Sequence, residues 1–102
     1  MGEIARWTTP VISYKPEKAT ADEIVEIKCV LTQSGADLII KSKADAIVDE
    51  GRFLWSLSQR ETARLCLKTT MLQFDYTTVD GNRYTTIARP YHTTNSAIDE
   101  EI

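Results

Sequence analysis

Met71-Leu72-Gln73-Phe74-Asp75-Tyr76-Thr77-Thr78-Val79-Asp80-Gly81-Asn82-Arg83-Tyr84-Thr85-Thr86-Ile87-Ala88-Arg89-Pro90 is the stretch whose reading decides the fold. β-Branched and aromatic residues flank Asp80-Gly81, a dipeptide that accepts the positive φ a tight hairpin turn requires. Leu72, Phe74 and Tyr76 alternate with Gln73, Asp75 and Thr77. One face of that strand is apolar and the other polar, the pattern of a sheet lying with one side on a core.

The same period of two recurs upstream. Val25, Ile27, Cys29 and Leu31 form one row and Glu26, Lys28, Val30 and Thr32 the other, which predicts a central strand over 24–33. Ser34-Gly35-Ala36-Asp37 supplies a turn, and Leu38 to Ser42 reads as the returning strand. Val11 to Lys15 is a short first strand opened by Pro10, with Ile12 and Tyr14 on one face and Val11 and Ser13 on the other. From Ile40 to Val48 the apolar spacing fits a turn or two of helix as well as loop and strand. Gly51 and the β-rich run Phe53-Leu54-Trp55-Ser56-Leu57 favour loop and strand.

Ser58-Gln59-Arg60-Glu61 has the form of a capping box, in which Ser58 accepts from the Glu61 N–H and the Glu61 carboxylate accepts from the Ser58 N–H. A short helix to about Leu67 follows, anchored by Leu65. About six strands, turn signals at short intervals and one helical crossover predict an all-β fold: an antiparallel β-sandwich, immunoglobulin-like, with one short helix. The expected division is a flexible arm over 1–8, a single sandwich over 9–91 and a flexible acidic tail over 92–102.

A chain of 102 residues supports one core. Its net charge of −3, with both signs interspersed, gives no footprint for nucleic acid or an anionic membrane. No apolar run is long enough to span a bilayer, and Met-Gly-Glu-Ile-Ala-Arg-Trp lacks the basic-then-apolar order of a signal peptide, so folding in the cytoplasm is expected. Cys29 and Cys66 lack the short spacings of zinc or redox sites. Two reduced, mostly buried thiols acting as small apolar residues are the favoured reading over a cross-sheet disulfide.

Each catalytic template lacks a part. Gly2, Gly35, Gly51 and Gly81 are too scattered for a dinucleotide or phosphate loop, and no G-x-S-x-G occurs, so no cofactor is expected. His92 is the sole histidine and falls in the expected tail. Asp80-Gly81-Asn82 is explained by the turn and lacks the calcium-loop pattern. Two acidic groups, Asp22, Glu23 and Glu26, and Asp45, Asp49 and Glu50, are the only candidates for a hydrolase, and both read as solvated surface. Trp55 shares a strand face with Phe53 and Leu57 and reads as core; a carbohydrate platform would need Trp55 and Tyr84 to point outward. Trp7, with Thr8, Thr9 and Pro10, is the candidate interface: a tryptophan in an arm either anchors a partner or packs back over a sheet edge.

Four stretches carry a resemblance: Arg6-Trp7-Thr8-Thr9-Pro10-Val11-Ile12, the strand end Leu31-Thr32-Gln33, the segment Leu57-Ser58-Gln59-Arg60-Glu61-Thr62, and the hairpin from Leu72-Gln73-Phe74 to Asp80-Gly81. In this order, over roughly residues 6–87, the chain resembles small uncharacterised proteins encoded in phages and prophages of Firmicutes. The resemblance implies a non-enzymatic structural or assembly protein, in the tail or baseplate region. It implies other phage structural proteins or a second copy as partners, and a place in the host cytoplasm during assembly and in the virion. It brings no catalytic residues.

Overall fold

The structure, a computed structural model, describes residues 2–102; Met1 of the expected arm lies outside the described residues. Nine strands form two sheets: β1 (Gly2–Ala5), β2 (Val11–Tyr14), β3 (Ile24–Gln33), β4 (Ala36–Lys41), β5 (Ile47–Asp49), β6 (Arg52–Ser56), β7 (Thr70–Thr78), β8 (Arg83–Thr85) and β9 (Arg89–Thr94). One helix, α1 (Gln59–Ala63), lies between β6 and β7. The larger sheet runs β1-β9-β7-β3-β4, with β8 also on β7, and the smaller runs β2-β6-β5. All pairings are antiparallel except β1 with β9. This is an all-β sandwich with the strand order of an immunoglobulin-like domain: β2-β6-β5 stand as B-E-D, and β9-β7-β3-β4 as G-F-C-C′.

The alternation works as expected in β7, where Leu72, Phe74 and Tyr76 face inward, flanked on the same row by buried Thr70 and Thr78. Its turn is longer than the dipeptide alone suggests. The Gly81 N–H donates to the Thr78 carbonyl at 3.0 Å and Gly81 has φ +86°, while Thr78 N–H donates to the Asn82 carbonyl at 3.0 Å. A turn followed by a left-handed glycine is the three-residue hairpin loop with a bulge. Between β3 and β4, Ser34 and Gly35 both have positive φ (52° and 79°), so the expected four-residue turn is a two-residue one.

β3 departs from strict alternation at its start. Ile24 pairs with Thr78 and Glu26 with Thr77, so Val25 is the extra residue of a β-bulge. The bulge shifts the parity: Val25, expected in the inward row, is 56% exposed, and Ile24 fills the core at 1%. β2 settles its own ambiguity by turning Ile12 and Tyr14 inward against the core. The stretch from Ile40 to Val48 is the end of β4, one 3-10 turn over Lys43–Asp45, and β5, with no α-helix.

Parts of the expected arm and tail are strand: residues 2–5 of the arm form β1, and residues 92–94 of the tail end β9. Gly2–Ala5 pairs with Tyr91–Thr94, placing Ile4 in the core and His92 on β9. The core joins Ile4, Ile24, Ile27, Leu31, Ile39, Phe53, Trp55, Leu57, Leu65 and the inward row of β7. No described helix is long and apolar enough to cross a membrane.

Candidate functional site

Two of the four quoted stretches, 6–12 and 57–62, meet in space. Thr62, fully buried at the end of α1, donates through its hydroxyl to the Thr8 carbonyl at 2.9 Å and accepts from the Thr8 N–H at 3.1 Å. The Leu57 N–H donates to the Pro10 carbonyl at 3.0 Å. The capping box forms as the sequence predicts, with Glu61 N–H on Ser58 Oγ at 3.1 Å and Ser58 N–H on Glu61 Oε1 at 2.9 Å. The segment from Leu57 to Thr62 is thus a structural joint that clamps the chain leading into β2.

Of the expected interface residues, Thr8 and Pro10 are engaged in that joint, and Thr9 is exposed. Trp7 is half-buried in the left-handed region at φ 63°, and its Nε1 donates to Asp99 at 2.9 Å. Asp99 also accepts from Arg6 at 2.8 Å, and Glu101 pairs with Arg60, so the acidic C-terminal residues lie against the start of the chain and α1. Trp55 is fully buried and donates to the Ser42 carbonyl at 2.9 Å, which removes it from any carbohydrate platform.

Three of the six carboxylates offered for hydrolysis hold backbone. Glu23 accepts from the Thr20 N–H at 3.0 Å and Asp45 from the Ser42 N–H at 2.9 Å. Glu26 accepts from the Lys43 N–H at 2.8 Å. These N–H groups hold all three below the ordinary carboxylate range, with the Thr20 and Ser42 hydroxyls assisting for Glu23 and Asp45. A general acid needs the opposite shift. Glu17, Asp22, Glu23 and Glu50 line one broad cleft. Among the described residues no group of His, Cys, Asp or Glu is placed to hold a metal ion. Cys29 and Cys66 are both free thiols, and burial pushes Cys29 up to about 12. Cys66 is exposed.

Sequence reasoning missed a second concavity. The larger sheet overhangs the smaller beside β2, leaving a groove of about 560 Å³. Its floor is the inward row of β7 with Tyr84 and Tyr91, and Tyr14 forms its wall. Tyr14 stacks on Phe74 (centroids 4.2 Å apart, planes 11°), and Tyr76 meets Tyr84 at 5.3 Å. Burial, with Tyr76 close by, pushes the Tyr14 hydroxyl up to about 12, so the wall stays neutral. Lys15, Lys18, Arg52 and Arg89 line the groove with one carboxylate, Glu17. Only the alternation that carries Tyr14 and Tyr76 was visible in advance; the groove itself depends on strand order. In comparisons with protein-family models, curated proteins and solved structures, nothing matched this chain.

Proposed function

We propose that this chain is a non-catalytic protein–protein contact module that serves a phage structural assembly, in the tail or baseplate. The observation that carries the contact reading is the aromatic groove beside β2, a strand that has a neighbour on one side only. An open strand edge is a template for another chain. The bonded, charge-stabilised carboxylates described above favour contact over hydrolysis. The phage setting, the partners within it and the host cytoplasm as the place of assembly rest on the sequence resemblance.

The test is sedimentation of particles from host cells producing the phage or prophage, followed by mass spectrometry of the fractions. The chain is expected in tail or baseplate particles and to stay there through a salt wash. Recovery solely as free protein overturns the reading.

A further inference from the structure

We infer that the groove beside β2 receives an extended acidic segment of a partner protein, which adds as a strand to the free edge of β2. The inference rests on the contact reading above and names the partner's chemistry. In the B-E-D arrangement the position next to B is open, because β1 pairs with β9 in the other sheet. Successive residues of a strand direct their N–H and C=O groups to alternating edges, so β2 carries unpaired backbone groups along its open edge, and its Ser13 and Tyr14 line the groove.

The floor suits a strand. Alternate side chains of an added strand point to one face, where half-buried Tyr84 and Tyr91 offer aromatic surface backed by the buried β7 row. A helix, about 10–12 Å across with its backbone bonds closed internally, has nothing to give the β2 edge.

The rim sets the charge. Four cations stand against one carboxylate, in a chain whose net charge is −3. None of Lys15, Lys18, Arg52 and Arg89 forms an ion pair among the described residues, whereas Arg6, Lys41, Arg60 and Arg83 each do. An acidic strand supplies the missing counter-charges while its apolar residues face the floor.

The experiment selects a random nonapeptide library against the immobilised full chain and measures the leading peptide in synthetic form by fluorescence anisotropy. Enriched peptides are expected to alternate Asp or Glu with apolar residues. The double variant Arg52→Glu/Arg89→Glu weakens binding roughly tenfold. Arg64→Glu, an exposed charge that does not line the groove, leaves it unchanged. N-methylation of alternate peptide amides abolishes binding, and added salt weakens the wild-type complex even if the double variant fails to fold. Failure to enrich any peptide, neutral or basic winners, or indifference to N-methylation each overturns the inference. Equal binding of polyglutamate and an acidic polysaccharide overturns it too, since that is charge without strand pairing. Neutral peptides displaced by Tyr84→Arg would sink the acidic strand yet leave a contact groove. Absence from sedimenting particles would sink the contact reading itself.

Discussion

Gln33 ends β3 with only 2% of its surface exposed. Its Nε2 donates to the Cys66 carbonyl at 2.9 Å and to Thr70 Oγ1 at 3.0 Å, and its Oε1 accepts from the Cys66 N–H at 2.9 Å. Thr70 and Thr93 hydroxyls lie 2.7 Å apart beside it. One amide therefore ties β3 to β7, to β9 and to the segment after α1. Gln33→Ala would leave the Cys66 N–H and the threonine pair short of partners, at a cost of about 2 kcal/mol. A urea midpoint lowered with unchanged slope is the expected result; a midpoint equal to wild type would show that water replaces the amide. Nothing local announces this role, because the partners are 33 to 60 residues away in the chain. Trp55 is the contrast. Its place between Phe53 and Leu57 on one strand face is a local pattern, and that pattern placed it in the core before any coordinates.

Helix α1 has five residues, far short of what holds a helix in water without tertiary contacts. Its stability comes from its ends and from what it touches: the Ser58–Glu61 box, the Thr62–Thr8 clamp, Leu57 and Leu65 in the core, and an ion pair from Glu61 to Lys41 at 2.6 Å. Ser58→Ala removes the acceptor for the Glu61 N–H and should cost about 1 kcal/mol. Calorimetry should show a melting temperature lower by roughly 4–8 °C. Glu61 also makes the joint pH-dependent. Partial burial pushes its carboxyl up, but the Lys41 ammonium and the Ser58 N–H outweigh it and hold the pKa below the usual value. A depressed folded pKa stabilises fully above the unfolded value, and the contribution fades as pH falls through the folded one. The stability gap between wild type and Glu61→Gln should therefore be widest at neutral pH and close in acid; a gap that is constant with pH would show the charge to be idle. The box was legible because its pattern lies within four residues. Lys41, at the end of β4, and Thr8, in the connection between β1 and β2, complete it from distant parts of the chain. The bulge at Val25 escaped for a related reason: an extra residue is visible only against the partner strand, and strict alternation misassigned the row before Ile27.

Single strands were legible where alternation ran for several residues, as in β3, β6 and β7, and much less so at the ends of the chain. β1 has four residues, one of them glycine, and a parallel partner some ninety residues away, so neither turn chemistry nor periodicity connects them. Pro90 lies within β9, and the β1 pairing begins beyond it at Tyr91. The groove inherits this: Tyr14 and Tyr76 were readable from alternation but Tyr84 and Tyr91 were not, and its existence depends on β1 having left the β2 edge for β9. The consequence is testable on the whole molecule. If residues 2–5 were a free arm, removing them would leave stability untouched. Here Ile4 is 7% exposed and belongs to the core. Ile4→Ala should cost about 2 kcal/mol, near the low end for such truncations because the site is at a sheet margin. Deleting residues 2–5 should cost at least as much and also bare the β9 edge, an open template for association. Urea unfolding together with light scattering separates the two effects: the point variant lowers the midpoint and stays monodisperse relative to wild type, whereas the deletion lowers it and adds concentration-dependent growth in size. A deletion variant with wild-type stability and unchanged scattering would refute the parallel pairing, and with it the vacancy beside β2.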